Sequence, residues 1–271
     1  PPRSTLFPYT TLFRSSQWGY AVPAFVASVL SFSNLMLIFF WLPESLTAEK
    51  RAQMTEKRPA ITLGALLAAL RRPFTGSLLA TRFFFGLAFA IFQTIFSLYA
   101  LNKFNLQARD TGLILAYVGL LSVFVQGFLI GRLTQRFQED RLILFGGVLM
   151  AVSLVGWALT PSVQWLLVVL APTAISGGIL NTLLSSTLTK AVQPQEIGGI
   201  LGFSASIESS TRILAPVLGG YLLQSFGTWS PGAFGAVVMT GLSVYIFFTI
   251  FNHPIAATLN NTLKAESATN H

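Results

Sequence analysis

Seven apolar stretches, each long enough to cross a lipid bilayer as a helix, organise this chain of 271 residues. The hydrocarbon layer is about 30 Å thick, so a spanning helix needs roughly 20 mainly apolar residues. The stretches cover about 18–42, 74–101, 112–133, 142–159, 165–188, 198–223 and 232–251. None alternates apolar and polar residues as a barrel strand would. In hydrocarbon every backbone N–H and C=O must be bonded inside the protein, and a helix does this with its own carbonyls. The expected fold is therefore an all-α membrane protein with seven transmembrane helices, the fifth bent at Pro172.

Charge supports lipid as the main solvent. Charged residues make up 10% of the chain, against roughly 25% in a soluble domain, which needs them to cover its surface. There is no cysteine, and the two histidines, His253 and His271, both lie near the end. Disulfides, a cysteine-based metal site and a histidine cluster are excluded on that count, and no metal or cofactor is expected. A net charge of +8 could suggest nucleic acid, but the basic residues sit between the apolar runs. Eleven Lys and Arg residues fall on the side holding the long connection after the first span, and two, Lys103 and Arg109, on the other. Positive loops stay in the cytoplasm, so that connection and the C-terminus are expected to be cytoplasmic, in the plasma (inner) membrane. No nucleic-acid partner is expected. The sequence holds no Walker phosphate loop and no Ser-His-Asp set, so ATP-driven pumping and enzymatic catalysis are not expected.

Connection lengths divide the chain. One helix in residues 16–42 is followed by a basic linker over 43–73. Six helices joined by short turns occupy 74–252, and a tail runs from 253 to 271. Residues 61–70 are apolar enough for a short helix lying on the membrane surface. The segment Thr5–Ser15, TLFPYTTLFRS, resembles the in-frame translation of a short-read sequencing adapter over all eleven residues. On that reading 1–15 is an artefact leader, the genuine sequence starts near Ser16, and the chain is a piece of a longer protein. The alternative is an amphipathic leader.

Several motifs then carry a resemblance. WLPES (Trp41 to Ser45) ends a helix before a basic linker and resembles the end of helix 6 in major facilitator transporters. GRLTQRF (Gly131 to Phe137) resembles their cytoplasmic signature Gly-x-Leu-x-x-Arg, with Gln135 in place of the usual acid. GILGFSASIESSTRILAPVLGGYLL (Gly199 to Leu223) is similar to helix 11 of drug–proton antiporter-like members. Within it APVLGG resembles the antiporter signature Gly-Pro-x-x-Gly-Gly, with Ala215 for the first glycine. The resemblance implies that the chain holds helices 6 to 12 of a twelve-helix transporter. The last six would form the C-terminal half as an inverted 3+3 repeat. It also implies a small-molecule substrate, protons as coupling ion, efflux, and a missing N-terminal half as partner beside the lipid bilayer.

Three charges fall inside spans: Arg82, Glu208 and Arg212. Glu208 and Arg212 are four residues apart and share a helix face. Glu208 lies about 15 Å into its span, near the midplane where secondary transporters bind solutes and ions. One reading is a proton relay, with Arg212 or Arg82 tuning Glu208; the other is a fixed ion pair that orients the helix. Arg82 either faces the path or lays its stem along apolar surface and snorkels to the headgroups. Gly131, Arg132, Leu133 and Arg136 form the cytoplasmic loop motif, read as a latch or as a plain positive turn. Polar candidates for lining a cavity are Gln93, Asn181, Gln126 and Ser206, which could equally join helices by hydrogen bonds. Pro216, Gly219, Gly220, Gly198 and Gly202 are expected to serve helix packing, since small residues let backbones approach closely. The competing reading of the whole chain is a complete seven-helix receptor or channel-like protein.

Overall fold

The computed structural model describes residues 21–41, 73–192 and 196–251, and every regular element among them is helical. The suspected leader, the linker with its surface helix over 61–70, and the tail lie outside the described residues. The chain divides into two compact units, Pro1–Ala60 with Gln107–Arg109, and Ile61–Leu106 with Asp110–His271.

In the first unit α1 (Ala21–Trp41) is a single apolar helix without a charged residue. Pro23 lies in its first turn, where a missing N–H leaves no helical bond unmade. In the second, α2 (Pro73–Phe104) is the longest helix described. α3 spans Ala108–Arg136 and widens into a π turn over Val125–Leu129. α4 (Glu139–Leu159) and α5 (Val163–Lys190) follow as a hairpin. α6 (Ile197–Phe226) and α7 (Ser230–Ile246) complete the set, and α7 runs on into a second π turn, Phe247–Phe251. Asn105 takes a left-handed φ of 53° after α2, and Gly227 a φ of 91° after α6. Asparagine and glycine are the residues that tolerate that region.

Seven spans are expected from the sequence; five described helices are long and apolar enough to cross a membrane. They are Phe74–Phe104, Ala108–Arg136, Glu139–Leu159, Val163–Lys190 and Ser230–Thr249. This makes the chain an integral membrane protein. α6 has the length but not the apolarity, because Ser204, Ser206, Glu208, Ser209, Ser210, Thr211 and Arg212 crowd its first half. The apolar part of α1 described in full, Phe25–Trp41, is shorter than a span.

α2 is the hub of the second unit, packing on α5, α6 and α7, while α4 packs on α5 and α7. Its phenylalanines form a file in which Phe85, Phe89 and Phe92 stack and Phe96 is tilted against Phe92, and the Trp157 ring of α4 meets Phe92 edge-on at 5.1 Å. The Tyr99 hydroxyl donates to the Trp157 carbonyl at 3.0 Å, and Lys103 Nζ lies 3.4 Å from the Ala158 carbonyl. A cation is favoured there because the last carbonyls of α4 carry the negative end of its dipole. These contacts put the C-terminal ends of α2 and α4 at one end of the bundle. The α4–α5 turn lies there too, so the N-termini of α2 and α4 and the C-terminus of α5 share the other end.

α2 and α6 come closest at Gly219, where an added Cβ would stand 2.4 Å from Ile95 Cγ1. Gly86 faces Thr211 in the same seam, where an added Cβ would stand 3.2 Å from Thr211 Oγ1. α3, by contrast, is buried only at Thr111, Ile114, Val125 and Ile130. Its π turn meets α5 where Gly178 leaves room for Val125.

Candidate functional site

Arg82 sits nine residues into α2, which at 1.5 Å per residue is about 14 Å from the helix start. Asn181 lies nine residues before the end of α5, and Glu208 eleven residues into α6. All three are thus at similar depth from the end shared by the N-termini of α2 and α4, and their side chains meet. Arg82 Nη1 donates to Asn181 Oδ1 at 2.7 Å and to the Asn181 carbonyl at 3.3 Å. Arg82 Nη2 donates to Glu208 Oε2 at 3.0 Å. The other carboxylate oxygen, Oε1, accepts from Arg212 Nη2 at 2.8 Å, one helical turn on.

The three charged groups differ sharply in exposure. The Arg82 side chain is 8% exposed, Glu208 36% and Arg212 70%. Arg82 is therefore anchored inward at the junction of three helices and does not snorkel. The seam described above brings the helices close enough for this reach. Thr211 on α6 lies against Gly86, four residues past Arg82 on α2, and returns its hydroxyl to the Glu208 carbonyl at 2.7 Å. A charge at the centre of a spanning helix costs roughly 2.5–3.5 kcal/mol on insertion scales. Pairing offsets part of that, since hydrogen bonds between ionised groups are about twice as strong as neutral ones. Two guanidiniums against one carboxylate leave a net charge of +1.

The remaining candidates lie apart from this cluster. Gln93 is exposed, eleven residues further along α2. Gln126 is exposed in the π turn of α3. Ser206 is exposed and bonds its own helix at the Gly202 carbonyl, 3.0 Å away. Of the packing set, Gly219 makes the tight contact with Ile95, while Gly198, Gly202 and Gly220 face open space and Pro216 is exposed. Pro216 has no N–H, so the Arg212 carbonyl loses its helical donor beside the cluster.

The loop motif Gly131, Arg132, Leu133 and Arg136 closes α3. Arg132 Nη1 donates to the Phe128 carbonyl at 3.3 Å, the Leu133 carbonyl caps the turn by accepting from Phe137 N at 2.8 Å, and Arg136 is exposed. An acid at this end, Glu139 in the first turn of α4, grips Lys190 and accepts from Thr187 Oγ1 at 3.1 Å on the last turn of α5. Motif reading passed over this pair. The signal was an acid opening one helix and a lysine closing the next in an antiparallel hairpin. Among the described residues no group of His, Asp and Glu is arranged to hold a metal ion.

Comparisons with known proteins agree with this layout. The family model of the Major Facilitator Superfamily matches residues 4–216 and 127–268. Solute carrier family 22 member 18 from Mus musculus is 31% identical over 216 residues, covering 79% of this chain and 53% of its own length. Multidrug resistance protein 2 from Bacillus subtilis (strain 168) is 26% identical, covering 76% and 52% respectively. The chain thus spans about half the length of the curated relatives it matches. Among solved structures, the POT family transporter PepTSo shares the fold with a TM-score of 0.56 at 17% identity, over 64% of this chain and 36% of that one. Apolar helices in a tight bundle, charges paired inside it, a basic loop after α3 and a family match across most of the sequence converge: this chain belongs to the Major Facilitator Superfamily.

Proposed function

We propose that this chain is the C-terminal portion of a secondary, proton-coupled transporter that exports small solutes by alternating access, and is neither an enzyme nor a complete receptor or channel. The observation that carries the reading is the Arg82–Asn181–Glu208–Arg212 cluster, which joins three helices, at a depth we take to be near the middle of the membrane. Charged residues at that depth mark solute and proton paths. Seven spans are proposed: α1 as the last helix of an N-terminal half, then α2–α7 as the C-terminal half. That half would comprise two inverted three-helix repeats, after a cytoplasmic linker over 43–73. Residues 1–15 would be an artefact leader, residues 253–271 a cytoplasmic tail, and the membrane the plasma or inner membrane. The partial coverage of the relatives supports a missing first half.

Glu208 is proposed as the proton-exchanging group. A proton on Oε1 and the Arg212 guanidinium compete for the same lone pairs, so protonation releases the exposed arginine while Arg82 stays anchored on Asn181. That gives the cluster two arrangements, the requirement for coupling a proton to a conformational change. Gln93, Gln126 and Ser206 are proposed to line the path as well. The loop motif around Gly131, with the Glu139–Lys190 pair, is proposed as the latch that holds the cytoplasmic ends together.

The test is flux in liposomes. Full-length protein, reconstituted with a pH-sensitive dye inside, is expected to move protons against solute when a pH gradient is imposed, and to stop when a protonophore collapses it. The present chain reconstituted alone is expected to move neither. Solute flux indifferent to the pH gradient would overturn proton coupling, and flux by this chain alone would overturn the two-half reading.

A further inference from the structure

The charge balance at this cluster points to a class of solute. Arg82 is turned inward: three bonds hold Asn181 and Glu208, and its side chain is almost wholly buried, out of reach of a solute. Both oxygens of Glu208 are taken. Arg212 spends one N–H on Glu208, and its other guanidinium donors have no partner among the described residues. A guanidinium carries five donors in a planar fork that fits a carboxylate two bonds at a time.

No other described acid can neutralise the extra charge. Asp110, Glu139 and Asp140 lie in the first turns of their helices, and Glu196 immediately precedes α6. The surface beside Arg212 is small and open. Ala205 and Ser209 are exposed on neighbouring turns, and the Ser209 hydroxyl is committed to the Ala205 carbonyl at 2.9 Å. That face therefore offers a fixed cation with spare donors, room for a ligand, and no partner for those donors among the described residues.

We infer that Arg212 is the docking point for an anionic solute, a carboxylate or a group of the same charge and shape, which takes the guanidinium donors that Glu208 leaves free. This rests on the reading of the cluster as the solute path. Within it Arg82 is a positioning residue, holding Glu208 so that the Arg212 fork stays turned outward. It follows that Glu208 and the solute compete for Arg212, so neutralising Glu208 tightens anion binding.

Thermal unfolding of the full-length protein in detergent, at constant ionic strength, tests this with three probes of one shape: benzoate, neutral benzamide and cationic benzylamine. Benzoate alone is expected to raise the melting temperature in a saturable way. Arg212→Gln is expected to weaken benzoate by roughly 10- to 100-fold, the loss of one charge-assisted pair. Arg212→Lys should recover part of the effect, and Glu208→Gln should strengthen it. Equal stabilisation by benzamide or benzylamine, no effect of benzoate, or an unchanged benzoate response in folded Arg212→Gln would each overturn the inference. The readout is separate from flux. Proton-driven transport without benzoate binding would leave the transport reading standing and remove the anionic class. Benzoate binding lost in Arg212→Gln, in a protein that moves no protons, would do the reverse.

Discussion

Replacing Glu208 with glutamine in the full-length protein is expected to reduce pH-gradient-driven solute flux to background while the protein still inserts and purifies as a single species. Glutamine has the same shape, and its amide oxygen can still accept from Arg82, so the three-helix junction keeps its main bonds. What it lacks is a proton to exchange and a charge for Arg212 to follow. Flux driven by a solute gradient alone can persist, because the path remains. The measurement compares proton movement and solute movement in the same liposomes for both proteins. Unchanged coupling would make Glu208 a fixed ion pair that only orients α6.

Arg82→Met is expected to have the largest effect on stability of any change at the cluster. It removes the bond to Glu208 and both bonds to Asn181 at a site where the arginine side chain is 8% exposed. Breaking one side of a buried ion pair typically costs about 3–5 kcal/mol, because the partner charge is left uncompensated. Glu208 is about a third exposed and keeps Arg212, so solvent screening puts the expected loss near the lower end, about 3 kcal/mol. Arg82→Lys should recover little, since an ammonium on a flexible stem cannot fork between Asn181 and Glu208. Equilibrium unfolding in mixed detergent, followed by helix content, measures the difference. A variant as stable as the parent would mean that the junction is held by α2–α6 packing at Gly219 and Gly86 alone.

The helices were legible in the sequence because a bilayer sets their length, and the expected ends fall within a few residues of the observed ones. The Glu208–Arg212 pair was legible too, since i and i+4 share a face whatever surrounds the helix. The long-range members were not. Arg82 and Glu208 are 126 residues apart, and whether they meet depends on how each helix is turned about its axis. In a soluble bundle a polar face reveals that rotation, but helices that are apolar all round do not show which side faces protein. The same ambiguity covers the glycines: Gly219 lies in the seam with Ile95, whereas Gly198 and Gly202, equally plausible from spacing, face open space in this chain. It also left Arg82 open between the path and the headgroups, until its bonds to Asn181 and Glu208 fixed it inward. α6 shows the converse, since the polar residues that build the site are what take it below the apolarity of a span.

On the proposed path, the exposed face of α6 around Arg212 borders water inside the membrane and not lipid. This chain contains no cysteine, so a single replacement within it, in a full-length protein cleared of any other cysteine, reports on one position. Ser209→Cys, beside Arg212, should react with a charged, membrane-impermeant thiol reagent, whereas Val148→Cys, exposed at comparable depth on the apolar face of α4, should stay unmodified. Ser209→Cys as inert as Val148→Cys in sealed and in opened vesicles would place that face in lipid and overturn the proposed path.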